Sequence, residues 1–133
     1  MPGDAEKISA EWFRKAEDDE KSIRAILKEN GAPSTACFLS QQLAEKYLKG
    51  LLVFFGRPFP KVHDLLQLET LLLGSEPEIK TLHEHLIVLN RYYIETRYPG
   101  DYQQFDLSEA QTAFDAALQV KQHILQKTNL PNV

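Results

Sequence analysis

The chain has 133 residues, 43% of them hydrophobic and 26% charged, proportions that suit a packed globular core and argue against disorder. A net charge of −4 and an isoelectric point near 5.5 exclude a general electrostatic pull toward nucleic acid, so any such binding needs a local basic patch. A single cysteine excludes an internal disulfide.

Residues 1–8 read as a short flexible lead-in. Ser9 is placed to cap a first helix running to about Asn30, with Gly31 as its stop and Trp12, Phe13, Ala16, Ile23, Ile26 and Leu27 as its apolar positions. Asp18-Asp19-Glu20 interrupts that pattern. It reads as a solvated turn near a helix bend, the alternative being a carboxylate that faces a basic site or partner. Ala32-Pro33 breaks the chain, and Ser34 is expected to cap a central helix over Ser34–Phe55. Ala36, Cys37, Leu43, Ala44, Leu48, Leu51, Leu52 and Phe55 form one apolar face, and Leu39, Leu43, Tyr47, Gly50, Val53 and Phe54 a second. Gln42, Glu45, Lys46 and Lys49 leave a narrow polar stripe, either a window onto water or one wall of a site.

Gly56-Arg57-Pro58-Phe59-Pro60 is a loop, because two prolines and a glycine rule out regular helix. A short leucine-rich helix follows over about Asp64–Leu73, capped by Asp64 and ended by Gly74. Ser75 and Glu78 have capping-box spacing and open a helix carrying Ile79, Leu82, Leu86, Leu89 and Tyr93, which ends before Pro99. A loop over 96–102 leads to a second capping box at Ser108-Glu109-Ala110-Gln111 and a last helix through Leu125, with a frayed tail from Asn129. No segment alternates with period two. The expected fold is all-α, an antiparallel bundle of four long helices and one short one, in a single domain over 1–133 with its core at about 9–126. No apolar run reaches the length of a membrane span, and the charged N-terminus lacks the apolar segment of a secretory signal, so a cytoplasmic protein with no membrane partner is expected.

The chemistry-bearing residues are few. His63, His83, His85 and His123 match no metal-ligand spacing, and neither a GxxxxGK loop nor a GxGxxG turn is present, so no metal and no cofactor is expected. Cys37 lies in an apolar face and reads as a small hydrophobe. Arg91-Tyr92-Tyr93-Ile94-Glu95-Thr96-Arg97-Tyr98-Pro99 gathers two arginines and three tyrosines at a helix end. Arginine holds phosphate in a fork of hydrogen bonds and tyrosine stacks bases. Taken singly, each has a structural role open to it: a tyrosine in the core, Arg91 paired with Glu95, Arg97 on the carbonyls of a helix end. His63, just before the cap Asp64, is either an acid–base group or a partner in a local hydrogen bond.

Ala36-Cys37-Phe38, Gln41-Gln42, Glu45-Lys46-Tyr47-Leu48-Lys49, then Lys61-Val62-His63-Asp64-Leu65 and Thr96-Arg97-Tyr98-Pro99, in this order, resemble the HEPN (higher eukaryotes and prokaryotes nucleotide-binding) domain. The resemblance spans roughly Trp12 to Leu125. It implies a helical bundle that forms homodimers and, for small prokaryotic members, a minimal nucleotidyltransferase partner in a toxin–antitoxin-like pair. Some members cleave RNA at a site assembled across the dimer; others bind nucleotides or polyanions without catalysis. The family's nuclease signature sets a histidine about four to six residues after an arginine. Arg91 matches that arginine, but Arg97 stands six later and no histidine occurs before His123. Arginine stabilises charge and does not move protons at neutral pH, whereas histidine does. The resemblance and the residues together therefore imply a module that binds a nucleotide or RNA phosphate through Arg91, Arg97 and Tyr98, with Lys46 and Lys49. The alternatives are a divergent metal-independent ribonuclease using Arg91 and His63, and a structural subunit whose central helix buries its second apolar face against another chain.

Overall fold

The computed structural model describes residues 3–59, 61–93 and 104–130. These form five α-helices and no strand: α1 Asp4–Lys28, α2 Pro33–Phe54, α3 Leu65–Leu72, α4 His83–Asn90 and α5 Leu107–Thr128. A 3-10 segment, Pro77–Leu82, runs directly into α4. The fourth long helix expected from the sequence is thus a composite, tight in its first six residues and α-helical in the next eight.

Helix α2 is the axis. It packs against α1, α5, α3 and α4, and thirteen of its 22 residues are buried within the one chain. Each fully buried leucine on it contributes about 1.5–3 kcal/mol. The first apolar face is buried inside the bundle as far as Leu52, whereas Leu39, Val53 and Phe54 of the second face stay half-buried. Ser9 meets Gly50, Phe13 stacks on Tyr47 and Asp19 meets Lys46, so α1 and α2 run antiparallel. At Gly50 the two helices approach so closely that a Cβ there would lie 2.4 Å from Phe13 Cε1 and 3.1 Å from Trp12 Cβ. The Ser9 hydroxyl donates to the Gly50 carbonyl across this contact, at 2.8 Å.

Several local expectations are corrected. Helix α1 begins at Asp4, because Asp4 and Glu6 in its first turn complement the helix dipole; Ser9 is a buried bridge to α2 and not a cap. Asp19 and Glu20 lie on continuous helix, not at a bend. Asp19 accepts from Lys46 Nζ at 2.6 Å and Glu20 from Lys121 Nζ at 2.6 Å, which ties α1 to α2 and α5. Burial keeps the Asp19 carboxyl above its ordinary pKa despite Lys46. At Glu20 burial acts the same way, but the hydrogen bonds from Lys121 and Arg24 prevail and the carboxyl falls below its ordinary value. Proline at the first position opens α2, leaving Ser34 Oγ to accept from the Phe105 backbone N–H at 3.0 Å. Ser75 does not cap the 3-10 segment but accepts from Arg57 at 3.1 Å. The N-cap of α5 is Asp106, two residues before the expected Ser108, and its side chain accepts from Glu109 N at 2.8 Å. The Asp64 cap stands as expected, accepting from Leu66 N at 3.0 Å.

Candidate functional site

The polar stripe of α2 is a wall, and its centre is Glu45. Gln41, Glu45 and Lys49 repeat every four residues, so they share one side of the helix. All three are buried, Glu45 to 5% and Lys49 to 6% exposure. Buried charge persists only when paired and hydrogen-bonded, and Glu45 is saturated: Lys49 Nζ donates at 3.0 Å and Gln41 Nε2 at 3.2 Å. Gln42 Nε2 donates to Gln41 Oε1 at 2.7 Å, holding that amide in place. The rings of Trp12 and Phe59 lie 6.0 and 5.5 Å from the Lys49 ammonium and enclose it.

His63 completes the cluster from the turn before α3. Its Nδ1 lies 3.1 Å from both carboxylate oxygens of Glu45, and its carbonyl accepts from Gln41 Nε2 at 3.1 Å. A carboxylate that also receives an ammonium is an acceptor, so the network assigns the proton to Nδ1. The turn is pinned by Asn90 at the end of α4. Its Oδ1 accepts from Leu65 N at 2.9 Å, and its Nδ2 donates to Asp64 at 3.0 Å. The His63 ring stacks on Tyr93, with centroids 4.3 Å apart and planes 17° apart; Phe38 lies on the same tyrosine at 6.4 Å. Lys61, Val62, His63, Asp64, Asn90 and Tyr93 line an open cleft of about 470 Å³.

Arg91, at the C-cap of α4, belongs to a neighbouring cluster. Its Nη2 donates to Glu109 Oε1 at 2.9 Å and to the Tyr92 hydroxyl at 3.3 Å. The Tyr92 hydroxyl in turn donates to Glu109 Oε1. Burial, reinforced by that bond, pushes the Tyr92 phenol up to about 12, so it stays a donor. The Arg91 side chain remains 60% exposed and borders a second cleft, of about 360 Å³, with Gln104, Phe105, Asp106 and Glu109.

Of the residues singled out in the sequence, the structure brings His63 and Lys49 onto one carboxylate, and it puts Arg91 at the end of the helix that pins the His63 turn. Lys46 and Lys49 are not open cations: one holds Asp19, the other Glu45. Arg97 and Tyr98 lie outside the described residues, as does Glu95. Arg91 takes Glu109 as an acidic partner, an acceptor that sequence spacing did not suggest. Sequence reasoning also missed the Glu45–His63 pair. Its one signal was an acidic residue set inside a helix apolar on two faces. His83 and His123 likewise meet Glu69 and Glu76, each at 2.8 Å. Among the described residues no three His, Cys, Asp or Glu side chains converge in a metal-binding group, and no helix is long and apolar enough to cross a membrane.

The HEPN domain family model matches residues 9–127. The chain belongs to the HEPN family. Two crystal structures share the HEPN fold seen here. One, ST0689, described as an archaeal HEPN homologue, is 25% identical with a TM-score of 0.72. The other, TT1696 from Thermus thermophilus, is 29% identical with a TM-score of 0.73. Each alignment covers 90% of this chain and 97% of the other. No curated protein matches the chain. Within this HEPN domain the matched residues include the Glu45–His63 pair, the cleft beside it and Arg91.

Proposed function

We propose that this HEPN domain is a binding module for the phosphate of a nucleotide or of single-stranded RNA, and that it acts as the partner of a minimal nucleotidyltransferase in a toxin–antitoxin-like pair. The observation that carries the reading is the cleft in which His63 stacks on Tyr93, with Lys61 at its rim and Arg91 at the adjoining helix end. Aromatic faces accept bases without regard to sequence, while cations hold the backbone. Among the described residues Lys61 makes no ion pair, and Asp64 of the same cleft is engaged by Leu66 N and Asn90. Arg97 and Tyr98 join the proposal on sequence grounds alone. Lys46 and Lys49 are assigned structural roles, since a phosphate would have to displace a carboxylate from each. A homodimer accords with family habit.

Labelled single-stranded RNA, without metal, tests this on a gel. Intact protein should shift the RNA without cutting it, and Arg91→Ala should weaken the shift about tenfold, the loss of one charge-assisted contact, while leaving the helical circular dichroism intact. An unchanged shift would remove Arg91 from the site. A second reading, metal-independent RNA cleavage, draws support from the Glu45–His63 pair, since a carboxylate on Nδ1 is how an imidazole is oriented for proton transfer. Cleavage by the intact protein that His63→Ala abolishes would favour it. Harmless expression in the absence of a partner would count against it.

A further inference from the structure

We infer that Glu45 is a positioning residue: it fixes His63 as the Nδ1–H tautomer and so presents Nε2 to the cleft as a proton-gated ligand for phosphate. The inference rests on the phosphate-binding reading above and adds its regulation. With Nδ1 held against both oxygens of Glu45, Nε2 has no partner among the described residues, and the side chain is 39% exposed at the cleft. A neutral imidazole in this tautomer offers only a lone pair at Nε2, and phosphodiester oxygens are acceptors as well, so the two gain no hydrogen bond. Protonated, Nε2 becomes a charged donor aimed into the cleft while Nδ1 keeps its bond to Glu45.

Charged and polar groups face the ring from three elements. From α2 comes the Glu45 carboxylate, with the Lys49 ammonium behind it. Lys61 and Asp64 flank His63 on its own turn, and Asn90 and Tyr93 face it from the end of α4. The carboxylate keeps Nδ1 in either charge state of the ring, and Lys61 adds a second cation for the ligand. Binding and proton uptake are then reciprocal: what protonates His63 tightens the ligand, and the ligand draws in a proton.

The test is calorimetric titration with a 2′-O-methyl oligoribonucleotide, whose phosphodiesters do not titrate near neutrality and which cannot be cleaved through its 2′ oxygen. Two buffers of different ionisation enthalpy report the protons taken up. Wild-type protein should take up at most about half a proton per bound site near neutral pH, the uptake that goes with an affinity falling about tenfold from about pH 5.5 to about pH 8. His63→Gln should bind more weakly with a flat pH profile. Nitrogen-15 spectra of the ring give an independent readout: Nδ1–H in the wild type, lost in the double variant Glu45→Leu with Lys49→Met, which removes the acceptor without stranding the buried ammonium. Binding that ignores pH overturns the gate and leaves the phosphate reading standing, as does pH dependence that survives in His63→Gln. No binding at any pH overturns both. A ring found as the Nε2–H tautomer in the wild type overturns the role of Glu45 whatever the affinity.

Discussion

His63 and His123 are built on the same chemistry and put to different uses. Each meets a buried glutamate, Glu45 at 5% exposure and Glu76 at 6%. His123 reaches from α5 to the residue before the 3-10 segment and is itself enclosed, its side chain 14% exposed, with Lys127 adding a second contact to Glu76 at 3.6 Å. That arrangement is a clasp between two elements. His63 leaves 39% of its side chain in a cleft, against an aromatic face and next to a lysine. A buried carboxylate needs donors wherever it sits. What separates a clasp from a site is the use left for the second ring nitrogen.

The comparison can be broken at four places, in order of expected loss of stability. Glu45→Ala should cost the most, about 3–5 kcal/mol, because it strands a buried ammonium at Lys49; thermal melting should fall by roughly 10 °C or more. Gly50→Ala touches neither histidine pair, yet it drives a methyl into Phe13 and Trp12. About 1–3 kcal/mol should be lost in denaturant titration, with RNA affinity kept once the protein is folded. His123→Ala undoes the clasp. It should cost about 1–3 kcal/mol by removing a donor from buried Glu76, and it too should leave the gel shift unaltered. His63→Ala reverses the pattern. Stability should change by about 1 kcal/mol or less, since Lys49 and Gln41 still satisfy Glu45, while RNA binding falls about tenfold. If His123→Ala cost binding and His63→Ala did not, the roles assigned to the two histidines would be exchanged.

The fold was largely legible because its signals are local. Two-faced apolar spacing marks α2 as the central helix, and the Asp64 cap opens α3 from within a few residues, whereas at the end of α1 the left-handed residue is Asn30 in place of the expected Gly31. The errors fell where a polar side chain had a tertiary alternative. Ser9 and Ser34 are good caps by type, but one bonds Gly50 and the other Phe105, partners 41 and 71 residues away. Ser108 and Asp106 both suit the start of α5, and the aspartate takes it. The site was less legible for the same reason. His63 and Arg91 stand out by residue type, but nothing in the spacing links His63 to a glutamate 18 positions earlier on another element.

The lone cysteine gives this molecule an internal clock. Cys37 sits on α2 two turns before Glu45, wholly buried, and burial, with the negative charge of Glu109 adding to it, pushes its thiol up to about 11. At neutral pH a thiol reagent therefore meets neither an accessible sulfur nor a thiolate until the packing around α2 opens. With one cysteine in the chain, each modification event timestamps that opening and nothing else. The rate of labelling, read with and without RNA, converts ligand binding into a slowing of the same clock, with no probe introduced anywhere in the protein.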